Sequence, residues 1–209
     1  MHITLRRYAG AAARMDRIAA RVQAGLVPIL AGSAGFKGYC AVKGESGDGV
    51  SVSLFENGEQ AGRANEQARA WVRSDLRDLL PDPPETFAGD VVVSAEAEGE
   101  GGPFTGRGGQ LYVVIREFEG MTDPDGAVRF ARQDSMPLTR NSPGFLAFYS
   151  AWGDAGRTRA AVVTLFDRRE NAWLANEQVL AAIRAKGGRA VPPPVRVVAG
   201  EAPVTAGAE

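Results

Sequence analysis

The chain has 209 residues, with 24 basic and 25 acidic side chains, a net charge of −1 and 44% hydrophobic content. A chain of this length and composition buries a core without disulfides or metals. The near-neutral charge supplies no general attraction to nucleic acid or an anionic membrane. Cys40 stands alone, so no internal disulfide forms. No apolar run approaches the roughly 18 residues of a membrane span, and the N-terminus lacks the apolar stretch of a secretory signal. The expectation is a cytoplasmic protein with no nucleic-acid or membrane partner.

In chain order, Ile3–Tyr8 alternates apolar and polar residues and reads as a strand. Met15, Ile18, Val22, Leu26 and Ile29 follow at helical spacing, with Pro28 inside the pattern, where its missing N–H should kink the helix or start a new turn. Phe36–Val42 and Val50–Phe55 read as strands joined through the Gly-Asp turn "GESGDG" into a hairpin. A long helix spans about Glu59–Leu80 and stops at "PDPP". Thr86–Ser94 is a closing strand. The order is β-α-β-β-α-β, the ferredoxin-like motif.

The second part of the chain says the same again. "LRRYAG" at Leu5 matches "IREFEG" at Ile115, offset 110. "SVSLFENGEQA" at Ser51 matches "VVTLFDRRENA" at Val162, and "ANEQ" recurs at Ala64 and Ala175, both at offset 111. Landmarks in one order with drifting offsets indicate two homologous halves, 1–95 and 111–204. Residues 96–110, with six glycines, read as a flexible linker, and 205–209 as a tail. The linker's glycines lead into a strand rather than a helix N-terminus, which argues against a phosphate loop.

Neither face of the third strand is charged in either half. Val50, Val52 and Leu54 point one way, and Ser51, Ser53 and Phe55 the other. A sheet buried on both faces needs a second layer. The expected fold is therefore α+β: two tandem ferredoxin-like βαββαβ repeats whose antiparallel sheets face each other as an intramolecular pseudo-dimeric α/β barrel, with helices outside.

"GFKGYCAV", "VSVSLFENGEQA", "ANEQARAWVR" and the Pro-Pro-strand ending resemble the dimeric α/β-barrel superfamily, in particular antibiotic-biosynthesis-monooxygenase-like domains. The resemblance covers both halves. It implies small-molecule binding between helix and sheet. It spans cofactor-free oxygenases, haem-degrading enzymes, isomerases and cyclases. Haem-degrading relatives use a histidine on the long helix, and neither "ANEQARAWVR" nor "ANEQVLAAIR" contains one. The sole histidine is His2, which argues against a histidine metal site or a Ser-His-Asp triad. No metal or cofactor is expected.

Candidate ligand-binding residues are Asn65, Asn176, Tyr8, Trp71, Arg6 and Arg116. Asn65 and Asn176 sit within the apolar stripe of the long helices, where each amide needs a fixed partner. They either clamp the helix to the sheet or touch a ligand. Arg6 and Arg116 align on the first strands. With Ile3, Leu5, Val113 and Ile115 assigned to the helix side, Arg6, Tyr8, Arg116 and Phe118 are expected to face the opposing sheet. Trp71 flanks the stripe. Trp173 replaces Gly62, which suggests unequal cavities.

Two readings remain open. One is a binding or structural module with an apolar cleft for a small apolar or aromatic ligand. The alternative is a cofactor-independent monooxygenase, cyclase or isomerase acting on an aromatic or polyketide-like molecule. An enclosed cavity of about 300 Å³ or more, lined by one of those Asn side chains and by a Tyr or Arg, favours the enzyme; Asn side chains bonded only to backbone, with no cavity, favour the module.

Overall fold

The computed structural model describes residues 1–98, 102–105, 110–188 and 190–208. Eight strands close into one antiparallel barrel. They are β1 (His2–Tyr8), β2 (Phe36–Gly44), β3 (Gly49–Phe55), β4 (Glu85–Glu96), β5 (Tyr112–Phe118), β6 (Phe145–Trp152), β7 (Ala160–Phe166) and β8 (Arg196–Gly207). The order round the barrel is β1-β3-β2-β8-β5-β7-β6-β4. Each half contributes one four-stranded ferredoxin-like sheet. β2–β8 and β4–β6 join the sheets at their two seams, so no strand edge is left open to pair with another chain.

The barrel interior mixes both halves: Ile3, Leu5 and Val52 pack with Val113, Ile115 and Val163, all nearly or wholly excluded from water. This reverses the expected strand faces. Ile3 and Leu5 point inward, while Thr4, Arg6 and Tyr8 lie under the helices, where Arg6 and Tyr8 line a cleft. The cause is solvation. The barrel core is dry and walled by apolar side chains from every side, so it takes the uncharged set, and the arginine takes the side with a route to water.

Outside the barrel, α1 (Met15–Arg21) passes through a π turn (Val22–Leu26) into α2 (Val27–Ala31), and α3 (Gly58–Asp75) lies alongside. Pro28 is the second residue of α2. It lacks an N–H, and its ring conflicts with the carbonyl four residues back, so the wider turn just before it absorbs both faults. The C-terminal half repeats this. Its α4 (Pro124–Phe130) runs through a π turn (Ala131–Ser135) into α5 (Met136–Arg140), with Pro137 as second residue; α6 (Arg169–Ala182) is the partner of α3. Asn57 caps α3 by accepting from the Gln60 N–H at 3.0 Å, and Asp123 caps α4 by accepting from Gly126 at 2.8 Å.

Of the linker reading over 96–110, residues 99–101 and 106–109 lie outside the described residues. The piece between them holds Phe104, which is 1% exposed, packs with the barrel-core residues and stacks on Tyr149 at 6.4 Å. Composition had marked this stretch as spacer only. The tail also differs from expectation: β8 runs to Gly207, with Thr205, Ala206 and Gly207 paired to Cys40, Tyr39 and Gly38. Residues 205–207 complete one seam of the barrel, and Glu209 lies outside the described residues.

Candidate functional site

β1 sets out Thr4, Arg6 and Tyr8 on its outer face. Arg6 is flanked in register by Ser51 on β3 and Thr86 on β4. α1, α2 and α3 roof this strip, and the cleft, which is partly open to solvent, has a volume of about 620 Å³. Met15, Val22, Leu26 and Leu30 give it an apolar wall, and the Pro81–Pro84 segment lies on its rim. That volume suits a drug-sized ligand.

Two polar groups in this cleft, the Arg6 guanidinium and Asn65 Oδ1, have no partner among the described residues. Arg6 makes no hydrogen bond or ion pair among the described residues. Burial lowers its pKa, and the nearby Tyr8 and Tyr39 oxygens only partly oppose that. Arginine stays protonated regardless, so a cation faces the cavity without a counter-ion. Burial raises the pKa of Tyr8 and of Tyr39, so both are neutral donors at physiological pH. The Asn65 amide donates to Thr4 Oγ1 at 3.2 Å, and its Oδ1 has no partner. A hydroxyl serves either end of an amide, so turning Asn65 over would exchange the free acceptor for a free donor. The lining contains no histidine and one carboxylate, Asp82.

In the C-terminal half the equivalent space has shrunk to about 30 Å³. The strand registers explain this. Val162 stands beside Arg116 where Ser51 stands beside Arg6, and Ala160 faces Phe118 where Gly49 faces Tyr8. On the neighbouring strand, Trp152 pairs with Ala160 where Lys43 pairs with Gly49. On the helix, Val179 replaces Ala68, each three residues past the Asn. Each of these changes adds apolar bulk, Trp152 also exchanging a charge for an indole, and together they fill the cleft. Arg116 is then fully enclosed and donates to Asn176 Oδ1 at 3.0 Å. Burial brings its pKa down to about 10, which leaves it charged.

Of the six sequence candidates, Arg6, Tyr8 and Asn65 therefore line one roomy cleft, whereas Arg116 lines the small one and bonds Asn176, which lies outside that lining. Trp71 is outside both linings: its ring lies over Gly25, where an added Cβ would sit 2.6 Å from it. Trp173 is also outside both. It donates to Tyr112 Oη at 3.1 Å, and Arg169 lies 5.9 Å above its ring. The cavities are unequal, but Trp152, Val162 and Val179 make them so rather than Trp173. Tyr39, Arg69 and Arg73 also line the open cleft. The alignment of the repeats held a signal for Arg69, since its counterpart is Leu180.

No protein-family model and no curated protein matches this chain. Solved structures do. An anthrone oxidase-like protein superposes with a TM-score of 0.65 at 16% identity, over 99% of this chain and 93% of that one. A monooxygenase candidate from Lactobacillus acidophilus gives 0.66 at 10% identity, covering 99% and 95%. A chlorite dismutase variant from Candidatus Nitrospira defluvii gives 0.60 at 10% identity, covering 96% and 90%. At such identities the likeness is one of fold. This chain carries, in one polypeptide, the eight-stranded α/β barrel fold that these structures share.

Proposed function

We propose that the N-terminal cleft binds an electron-rich aromatic or polyketide-like molecule and promotes its oxidation by O₂ without a cofactor. The observation that carries this reading is a cleft of about 620 Å³ whose Arg6 cation and Asn65 Oδ1 have no partner among the described residues. Arg6 is half-buried; holding a partly desolvated arginine without a counter-ion is unfavourable, and an anionic ligand oxygen offsets that. The anthrone oxidase-like neighbour suggests the chemistry: a methylene between aromatic rings becomes a ketone.

The substrate loses one methylene proton to solvent and enters as its enolate, with the oxygen held by Arg6. The enolate passes an electron to O₂, and the resulting radical and superoxide combine in a C–O bond. The peroxide takes up a proton, its remaining C–H proton departs, and the O–O bond breaks. The products are the ketone and water. The protein orients the ring system, keeps bulk water away from the reacting carbon and stabilises the anion. The lining offers no imidazole, and its one carboxylate, Asp82, forms no ion pair with Arg6. This favours substrates acidic enough to ionise with help from a nearby cation, such as phenolic anthrones and β-dicarbonyls.

The test is O₂ uptake and quinone appearance from dihydroxyanthrone in air, measured above the uncatalysed rate. Acceleration that falls at least tenfold in Arg6→Met supports the enzyme. Binding of the matching dihydroxyanthraquinone without any acceleration supports a ligand-binding module instead. No binding of either compound overturns the aromatic-ligand reading.

A further inference from the structure

We infer that the ligand carries two anionic groups on an apolar body: an enolate or phenolate oxygen at Arg6 and a carboxylate at the cleft mouth, held by Arg69 and Arg73. The inference rests on the small-molecule reading above and names its substrate class. Asn65, Arg69 and Arg73 follow one another at intervals of four on α3, and all three line the cleft. Eight residues of helix cover about 12 Å. The helix thus presents an amide beside Thr4, one cation about 6 Å further along and a second about 12 Å along, both on the exposed side, a span covered by a few fused rings with an acid substituent.

The arrangement is unfavourable in the free protein. Like charges four apart on a helix repel, and Arg69 also acts against the charge on Arg6. Arg6, Arg69 and Arg73 form no ion pair among the described residues, although Asp82 is on the same lining. Arg7, Arg21 and Arg169 have carboxylate partners, whereas Arg14, Arg77 and Arg140 share with Arg69 and Arg73 the lack of one among the described residues; the place of Arg69 and Arg73 on the cleft lining distinguishes them. In the C-terminal half, Leu180 and Arg184 hold the places of Arg69 and Arg73, and neither lines the shrunken space. The first mouth cation is therefore absent where the cavity is absent. A ligand carboxylate at the opening supplies the missing counter-charge and sets the direction of entry, with its enolate end innermost.

The experiment compares the affinities of dihydroxyanthraquinone and its ring carboxylic acid, read by quenching of tryptophan fluorescence in the full chain. The wild type should favour the acid by about tenfold, the scale of two ion pairs at a solvent edge. In the double variant Arg69→Gln, Arg73→Gln, on an exposed helix face, that ratio should fall to about unity, as it should for the wild type in high salt. Equal affinity of the wild type for both quinones overturns the two-anion inference and leaves the small-molecule reading standing. Failure of both quinones to bind overturns the two together. An acid preference that survives the double variant assigns the second contact to other residues and also overturns the inference.

Discussion

Arg116 donates to the Asn176 side-chain oxygen at 3.0 Å, whereas Asn65 turns to Thr4 and leaves Arg6 open to the cleft. One pair of residues, duplicated, has become a structural clamp in one half and part of a cleft lining in the other. Asn176→Ala should cost about 3 kcal/mol, because it leaves a buried cation without its acceptor. Asn65→Ala should cost about 1 kcal/mol, the scale of one ordinary hydrogen bond. Urea unfolding of the two variants checks the ordering, and equal costs would contradict the division of roles.

Filling the open cleft with the C-terminal half's own residues should abolish binding without harming the fold. Ser51→Val with Ala68→Val imports Val162 and Val179 onto the equivalent surfaces. Stability should stay within about 1 kcal/mol of wild type or rise, since apolar area is buried in existing space. Affinity for dihydroxyanthraquinone should fall at least tenfold. Retained affinity would place the ligand elsewhere.

Phe104 is coupled to Gly38. An added Cβ on Gly38 would meet the Phe104 ring at 2.2 Å. Phe104→Ala should cost about 3–5 kcal/mol through the cavity it leaves in the barrel core. Gly38→Ala should destabilise the wild type by about 1–3 kcal/mol through overpacking, but much less in the Phe104→Ala background. A double-mutant cycle measures this coupling, and additive costs would show that the ring does not occupy that space.

Glu45 links the halves. It accepts from Arg169 at 2.6 Å and from Tyr112 Oη at 2.5 Å. Arg169 first, then Tyr112, lower its pKa, while burial and the Glu45 bond push Tyr112 up to about 12. A carboxylate with a lowered folded pKa contributes stability in full above its unfolded pKa, about 4.3, and that contribution is lost as pH falls through the folded value. Acidification below about pH 4 should therefore change Trp173 emission, since its indole donates to Tyr112. Glu45→Gln should remove that acid step. An unchanged acid titration in the variant would detach Glu45 from it.

Much of the architecture was legible because it depends on local pattern. Period-two and period-3.6 runs located the strands and helices, and the repeated "ANEQ" revealed two equivalent halves. An uncharged third strand called for a covering sheet, which the second half supplies. Alternation along β1 separated Ile3 and Leu5 from Arg6 and Tyr8. It could not say which set faced the barrel, because that depends on which side of the sheet stays dry.

The cleft was harder still to read. Its volume follows from residues on β1, β2, β3 and α3 that are distant in the chain, and each exchange, such as Ser51 for Val162, is unremarkable alone. Phe104 lies in a glycine-rich stretch whose composition says nothing of a core contact, and residues 205–207 become ordered only through pairing with β2. Backbone preference and hydrophobic period act over a few residues, so the sequence alone determined the elements, their order and their duplication. Free volume, strand facing and unpaired charge are sums over the assembled surface, so only the tertiary structure decided which half holds an open site.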